Sequence, residues 1–338
     1  MAPIASSDAR RAGIALCLVS ACGFALMAIF AKQAYAAGVG VTSLLAARFV
    51  LAAAMFWAIV GLRRTRPARP ARRVVLAAIV LGAAGYSAQA GFFFSALRHI
   101  DASLTSLLLY TFPALVCVGA IALRRERFEP WKAGALVLAS AGVALVLLGG
   151  GSGGLQATGV ALGLGAGITY SVYILVAEVV IGRIDAWLFS ALVASGAAAT
   201  LVATGVVNGS LELDLGSAGW SWIVAIALAC TVLPISTFLL GMARVGSSTA
   251  SIVSTVEPLV TVSLAVALLG ESLGPAQVLG GALVIGAVVA LQSRRAVAGA
   301  VGRPRTFVRN PGMPTPPGKD AGPKEGASLS RSEDVAWR

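Results

Sequence analysis

The chain has 338 residues, of which 58% are hydrophobic and only 12% are charged, about half the usual charged share. This composition excludes a soluble domain, and the long apolar runs exclude a disordered or fibrous chain. The net charge of +12 comes from basic residues spread over separate loops, so it does not indicate nucleic-acid binding.

Ten apolar stretches are each long enough to cross about 30 Å of hydrocarbon as a helix. They lack the two-residue alternation that is typical of membrane barrel strands. We therefore predict an all-α integral membrane protein with ten transmembrane helices. The predicted spans are residues 12–33, 40–62, 74–97, 102–123, 132–149, 156–179, 186–208, 219–243, 248–269 and 275–293.

Basic residues predict how these helices are oriented in the membrane. Before the C-terminal tail, the connections on one side carry 14 Lys and Arg residues and those on the other side carry 2. Because basic loops stay in the cytoplasm, both termini are expected there, with the basic loops against anionic lipids of the cell (inner or plasma) membrane. Residues 1–11 then form a cytoplasmic N-terminus, and residues 294–338 form a basic tail whose composition predicts disorder.

The two halves of the chain contain an internal repeat. Three residues of types that are scarce in this sequence recur at an offset of 145 positions. The pairs are Pro113 with Pro258, Glu126 with Glu271, and Pro130 with Pro275. Each repeat, at residues 12–149 and 156–293, holds five spans, so the second must enter the membrane inverted. Two inverted five-helix repeats are typical of transporters that bind substrate near the midplane and expose it alternately to each side.

Longer segments around these residues are also similar between the halves. The first half contains LRRERFEPWKAGALVLASAGVALVL, and the second half contains LLGESLGPAQVLGGALVIGAVVAL at the corresponding place. With LLAARFVLAA in the second span and ASIVSTVEPLVTVSLAVALLGE in the ninth, they resemble the EamA-type members of the drug/metabolite transporter (DMT) superfamily. The resemblance covers about residues 12–293. It implies a carrier that exports amino acids or other small metabolites. The repeats differ at one position, where Phe112 stands in the first copy and Glu257 in the second.

Glu257 is the strongest candidate for chemistry, because it lies near the middle of the predicted ninth span. A charge there costs about 2.5–3.5 kcal/mol. Glu257 continues a polar helix face that includes Ser251 and Ser254, and Pro258 can free a backbone carbonyl beside it. The functional hypothesis is that Glu257 faces a substrate path and binds a proton or a cationic group. The structural alternative is a bond to Arg48 or to the neighbouring serines.

Further polar residues could line the same path. Arg48, in the second span, could attract an anionic group such as a carboxylate, or it could bond to backbone carbonyls or reach the outer interface. Polar residues that share a helix face could line the path, bond between helices or form an interface belt. They are Tyr86 and Gln89 on the third span, Tyr110 on the fourth, and Tyr170 and Tyr173 on the sixth.

Glycines and prolines are candidates for packing and hinge positions. Gly159, Gly163 and Gly167 form a GxxxGxxxG strip on the sixth span, which predicts close helix packing. A moving interface between the halves is the alternative. Pro113 and Pro258 are candidate hinges.

The leading hypothesis is a secondary carrier of small metabolites, with proton coupling and facilitated diffusion both open. A phosphate-ester substrate would call for more central basic residues than Arg48.

The four cysteines and the single histidine lack metal-ligand spacing, and no lysine precedes Ser or Thr as in a P-loop, so we expect no metal, cofactor or ATPase site. The alternative is a membrane-embedded enzyme for a lipid-linked substrate, although no catalytic cluster is evident. The oligomeric state, including a homodimer, stays open.

Overall fold

The computed structural model describes residues 7–63, 69–125, 128–149 and 156–301, which are almost entirely helical and contain no strand. Nine helical segments in these ranges are long and apolar enough to cross a membrane, and a tenth apolar helix begins at Pro275. The predicted all-α membrane fold is confirmed. Residues 1–6, Glu126 and the tail from residue 302, which was predicted to be disordered, lie outside the described residues.

The ten spans lie close to the predicted stretches. In chain order they are Ser7–Ala36, Val41–Leu62, Arg72–Ala96, Ala102–Ala122, Pro130–Leu148, Ala157–Ile181, Ala186–Val207, Gly216–Val245, Ser247–Ser254 continued by Val256–Leu269, and Pro275–Val301. The last helix continues past its predicted end at residue 293, into the segment expected to be disordered. Residues 294–301 contain no proline and consist mostly of residues compatible with a helix, so nothing in this segment ends the helix at residue 293.

Short connections make consecutive helices antiparallel, and polar contacts identify the two ends of the bundle. At one end, Lys32 donates a hydrogen bond of 2.9 Å to the carbonyl of Ile100. At the other end, Arg63 pairs with Asp185 at 2.7 Å. We call these the Lys32 end and the Arg63 end.

The fourth and ninth spans are each broken midway, although both were predicted as single helices. Their halves are Ala102–Leu109 and Phe112–Ala122, and Ser247–Ser254 and Val256–Leu269. Each break comes just before a proline of the repeat, Pro113 or Pro258. Proline lacks an N–H group and its ring clashes with the carbonyl four residues earlier, so the carbonyls of Leu109 and Ser254 lose their helical donors.

The third and eighth spans have a second irregularity in common. Each contains a short π-helical segment, Leu81–Tyr86 in one and Leu228–Val232 in the other. Such segments insert an extra residue in a turn and often occur at functional sites. Corresponding spans of the two halves therefore have the same departures from a regular helix, as expected of two copies of one five-helix unit.

Glycines allow several of the helices to cross at short distance. A Cβ atom built on Gly82 or on Gly196 would overlap the backbone of the facing helix where the third and seventh spans cross. Where the fifth and tenth spans cross, a Cβ on Gly280 would lie 2.5 Å from the carbonyl oxygen of Gly142. Small residues at crossings let van der Waals packing hold membrane helices together, because burial from water contributes little between them.

We expect Gly196→Ala to lower the stability of the folded protein by about 1–3 kcal/mol, because the new methyl group would overlap the Ile79 carbonyl. Gly91→Ala is the matched control, since no other group lies within 4 Å of the position of its Cβ. The measurement is the melting temperature of each purified variant in detergent. Equal melting temperatures would mean that the crossing tolerates the methyl group.

Candidate functional site

Glu257 lies at the break of the ninth span, in the first turn of the helix Val256–Leu269. It is half-buried, and the side chain of Tyr110 lies beside its carboxyl group. Tyr110 comes from the break of the fourth span, and its hydroxyl donates to the carbonyl oxygen of Ser254 at 3.4 Å. Pro258 leaves this carbonyl without a donor from its own helix. The hydrogen bond from Tyr110 therefore connects the break of the fourth span to the break of the ninth.

The surroundings of Glu257 leave its carboxyl group open to a cation. Its position in the first turn places it at the helix end that favours negative charge. In the part of the chain that the structure describes, no Lys or Arg forms an ion pair with it. The carboxyl can therefore take up a proton or face the positive group of a ligand.

Six aromatic rings form a continuous chain between Arg48 and Glu257, which we call the ring chain. The rings are, in order, Phe49, Tyr86, Tyr173, Tyr170, Phe112 and Tyr110. Consecutive centroids lie 4.7–6.0 Å apart, within the range that aromatic pairs favour. The rings come from the second, third, fourth and sixth spans, so the chain forms only when these spans pack together.

Four of the five aromatic and amide residues predicted to line a path belong to the ring chain. They are Tyr86, Tyr110, Tyr170 and Tyr173. Gln89 is buried in the third span, but no hydrogen bond among the described residues connects it to the chain. Ser251 and Ser254 are half-buried near the break, and the Ser254 hydroxyl donates to the Ala250 carbonyl of its own helix at 3.0 Å.

Phe112 is a member of this group that the sequence analysis did not name as a site residue. It occupies the position of the first repeat that corresponds to Glu257, and its ring contacts those of Tyr110 and Tyr170. Tyr110 thus lies beside both Phe112 and Glu257. Equivalent positions of the two repeats therefore meet in one group, and the offset of 145 residues was the signal that could have identified Phe112.

Arg48 lies at the other end of the ring chain and is 1% exposed. Its Nε atom donates to the Thr231 hydroxyl at 2.8 Å. Its guanidinium carbon lies 4.8 Å from the ring centroid of Phe49 and 5.1 Å from that of Phe94. Arg48 neither reaches the surface nor pairs with Glu257. Thr231, which the sequence analysis did not single out, belongs to the π-helical segment of the eighth span.

The glycine strip of the sixth span, Gly159, Gly163 and Gly167, faces the connection before the fourth span and the first half of that span. A Cβ on Gly167 would lie 2.6 Å from the Thr111 hydroxyl at the break. The strip thus allows the sixth span, which carries two tyrosines of the ring chain, to approach the broken fourth span.

Metal binding has no support within the described ranges, which contain no group of three or more His, Cys, Asp or Glu side chains that could hold an ion. Cys17, Cys22 and Cys230 are free thiols.

Comparisons with known proteins point to one family. The model of the EamA-like transporter family matches residues 11–148 and again residues 157–292. Similar curated proteins are the threonine/homoserine exporters RhtA of Escherichia coli strains K12 and O157:H7, each 29% identical over 204 residues. The match spans 59% of this chain and 63% of the length of these relatives. A solved structure described only as a crystal structure of a protein has a TM-score of 0.60 at 21% identity, covering 85% of this chain and 99% of the other.

The two family matches fall on the two repeats, one on each. They confirm the architecture of two five-helix repeats, and the solved structure has the same fold. The EamA-like family is a family of transporters within the DMT superfamily. The chain belongs to the EamA-like transporter family.

Proposed function

We propose that this transporter exports small amino acids or related metabolites by alternating access, with Glu257 as its proton or ammonium site. The observation that supports this most strongly is the meeting of Glu257 and Phe112, equivalent residues of the two repeats, beside two helix breaks. Inverted-repeat carriers bind substrate near the midplane between their repeats, where helices are interrupted.

The chemistry around Glu257 suits a small amine. A carboxylate beside the rings of Tyr110 and Tyr170 offers a primary ammonium group an ion pair and aromatic faces. Arg48 is the one cation associated with the ring chain among the described residues, which disfavours phosphate esters. Because the relatives are named threonine/homoserine exporters, threonine and homoserine are the first compounds to test.

Tyr110 can couple the charge of Glu257 to the helix breaks. Its hydroxyl has one proton, which it can donate either to the Ser254 carbonyl or to the Glu257 carboxylate. An ionised carboxylate is the stronger acceptor, so ionisation favours the bond to Glu257 and releases the Ser254 carbonyl. A proton or an ammonium group on Glu257 restores the bond between the fourth and ninth spans. Occupancy of the site thus controls a contact between the repeats.

The distribution of basic residues supports an orientation with the Arg63 end on the cytoplasmic side of the cell membrane. The basic loops at that end would then lie against anionic lipids. Substrate then enters at the Arg63 end and leaves at the Lys32 end.

We expect Glu257→Gln to slow threonine or homoserine transport at least about tenfold, because the neutral amide cannot form the charge-assisted bond. The measurement is uptake of the radiolabelled amino acids into proteoliposomes containing the purified full-length protein. Glu178→Gln is the matched control, since Glu178 has a side chain that is 73% exposed at the Arg63 end. Equal rates for wild type and Glu257→Gln would remove Glu257 from the mechanism.

We expect a pH gradient across proteoliposomes to drive threonine accumulation, and a protonophore to abolish it. Tyr110→Phe lacks the hydroxyl that links Glu257 to Ser254, so it should lose gradient-driven accumulation while retaining exchange of labelled for unlabelled threonine. Accumulation that is insensitive to the gradient in wild type would instead support facilitated diffusion.

A further inference from the structure

Arg48 is a buried cation without an anionic partner. Among the described residues it forms no ion pair, and its Nη1 atom is buried without a hydrogen-bond partner. Buried charges are normally paired, because an unpaired one loses its hydration without compensation. A cation maintained in this state indicates that its counter-ion arrives from outside the protein.

The rest of the Arg48 side chain is already fixed in position. Thr231 accepts the bond from Nε, the rings of Phe49 and Phe94 pack against the guanidinium, and Tyr86 lies beside it. The buried atom left for a ligand is Nη1. A planar guanidinium held in this way matches the two oxygens of a carboxylate better than any other side-chain cation does.

A pocket with a volume of about 350 Å³ lies at the Lys32 end. Its lining residues are Lys32, Tyr35, Ala36, Leu97 and Arg98. Tyr35 lines this pocket, and its ring centroid lies 5.4 Å from the guanidinium carbon of Arg98. Arg48 is also near Tyr35. The Tyr35 hydroxyl donates to the Phe94 carbonyl at 2.8 Å, and the Phe94 ring covers Arg48.

The acidic residues at the Lys32 end do not line this pocket. The Glu271 carboxylate accepts two backbone N–H groups at the start of the fourth span, at 2.7 and 3.0 Å. Asp101 lies near Lys32; burial and the Glu271 carboxylate raise the pKa of Asp101, while Lys32 opposes the rise. The five lining residues therefore include two cations and no acid, so an anion that leaves Arg48 next meets Lys32 and Arg98.

We propose that Arg48 binds the carboxylate of the transported compound, which then leaves past Tyr35 towards Lys32 and Arg98. This inference rests on the proposed function, because it identifies the residue that binds the carboxylate of the proposed substrate. The ring chain separates Arg48 from Glu257, with Tyr86 beside the first and Tyr170 near the second. The carboxylate and the α-ammonium group of an amino acid are attached to one carbon atom and cannot reach both ends of the ring chain at once, so Arg48 takes the carboxylate and leaves Glu257 for the proton.

The test is the melting temperature of the purified full-length protein with L-threonine, L-threonine amide or acetate, at an ionic strength matched with chloride. Threonine and acetate should raise the melting temperature, and the amide, which lacks the carboxylate, should not. Titration with threonine gives its affinity, which Arg48→Lys should weaken about tenfold to a hundredfold, because the ammonium group retains the charge without the planar pair of donors.

Arg63→Gln is the control for loss of one cation, since Arg63 pairs with Asp185 at the opposite end of the bundle. It should retain both responses. If Arg48→Lys does not purify as a folded protein, Thr231→Val replaces it. That variant leaves the charge in place but removes the hydroxyl that fixes Nε, and it should weaken threonine and acetate binding alike.

The outcomes separate the two proposals. An acetate response that depends on Arg48, without a threonine response, supports the carboxylate site and contradicts the amino-acid function. A threonine affinity that is unchanged in Arg48→Lys contradicts the site and leaves the function standing. No response of wild type to either compound contradicts both.

Discussion

In the hydrocarbon of a bilayer, each backbone N–H and carbonyl group must find its hydrogen-bond partner within the protein. Pro113 and Pro258 violate this requirement midway along two helices, because each removes a donor from the preceding turn. The Ser254 carbonyl recovers a donor from Tyr110, a residue of the other repeat. Irregular backbone at this depth is tolerated where it is enclosed by protein or lines a polar cavity. The helix breaks are therefore the places in this bundle where polar groups can be accommodated, and Glu257 lies at one of them.

Duplication provides two copies of each irregularity, and the difference between the copies makes the site asymmetric. Both repeats have a broken span and a span with a π-helical segment. At the breaks, one copy contributes the ring of Phe112 and the other the carboxyl of Glu257. Two carboxyl groups brought together by the pseudo-symmetry would repel each other when ionised. With a ring in place of the second carboxyl, the proposed cation site has a single acidic group, while the buried cation, Arg48, lies at the far end of the ring chain.

The sequence predicted those features whose physical cause is local. All ten spans follow from apolar length. The four tyrosines of the ring chain were singled out as polar residues that share a helix face, and their lining of a substrate path stays a prediction. The π-helical segments were not predictable, because LGAAGY and LACTV have no distinctive composition and the distortion accompanies packing, as where Gly82 meets the seventh span. Thr231 was missed for the same reason. It lies 183 residues from Arg48 in the chain, so only the arrangement of the helices brings the two side chains together.

Polar bonds between the repeats differ in strength at the two ends of the bundle. At the Lys32 end, the Glu271 carboxylate of the second repeat accepts two N–H groups at the start of a helix in the first. Such charge-assisted bonds are strong, and the helix end adds to them. At the Arg63 end, Arg63 and Asp185 retain 31% and 25% of their side-chain exposure, and Arg125 and Glu178 are separated by 3.8 Å. Fully exposed ion pairs contribute about 0–1 kcal/mol each, and the exposed Arg125–Glu178 pair is closest to that case. Among the described contacts, the Lys32 end therefore has a carboxylate bonded to two backbone N–H groups, whereas the Arg63 end has two partly exposed ion pairs and a hydrogen bond of 2.8 Å from Arg125 to the Leu175 carbonyl.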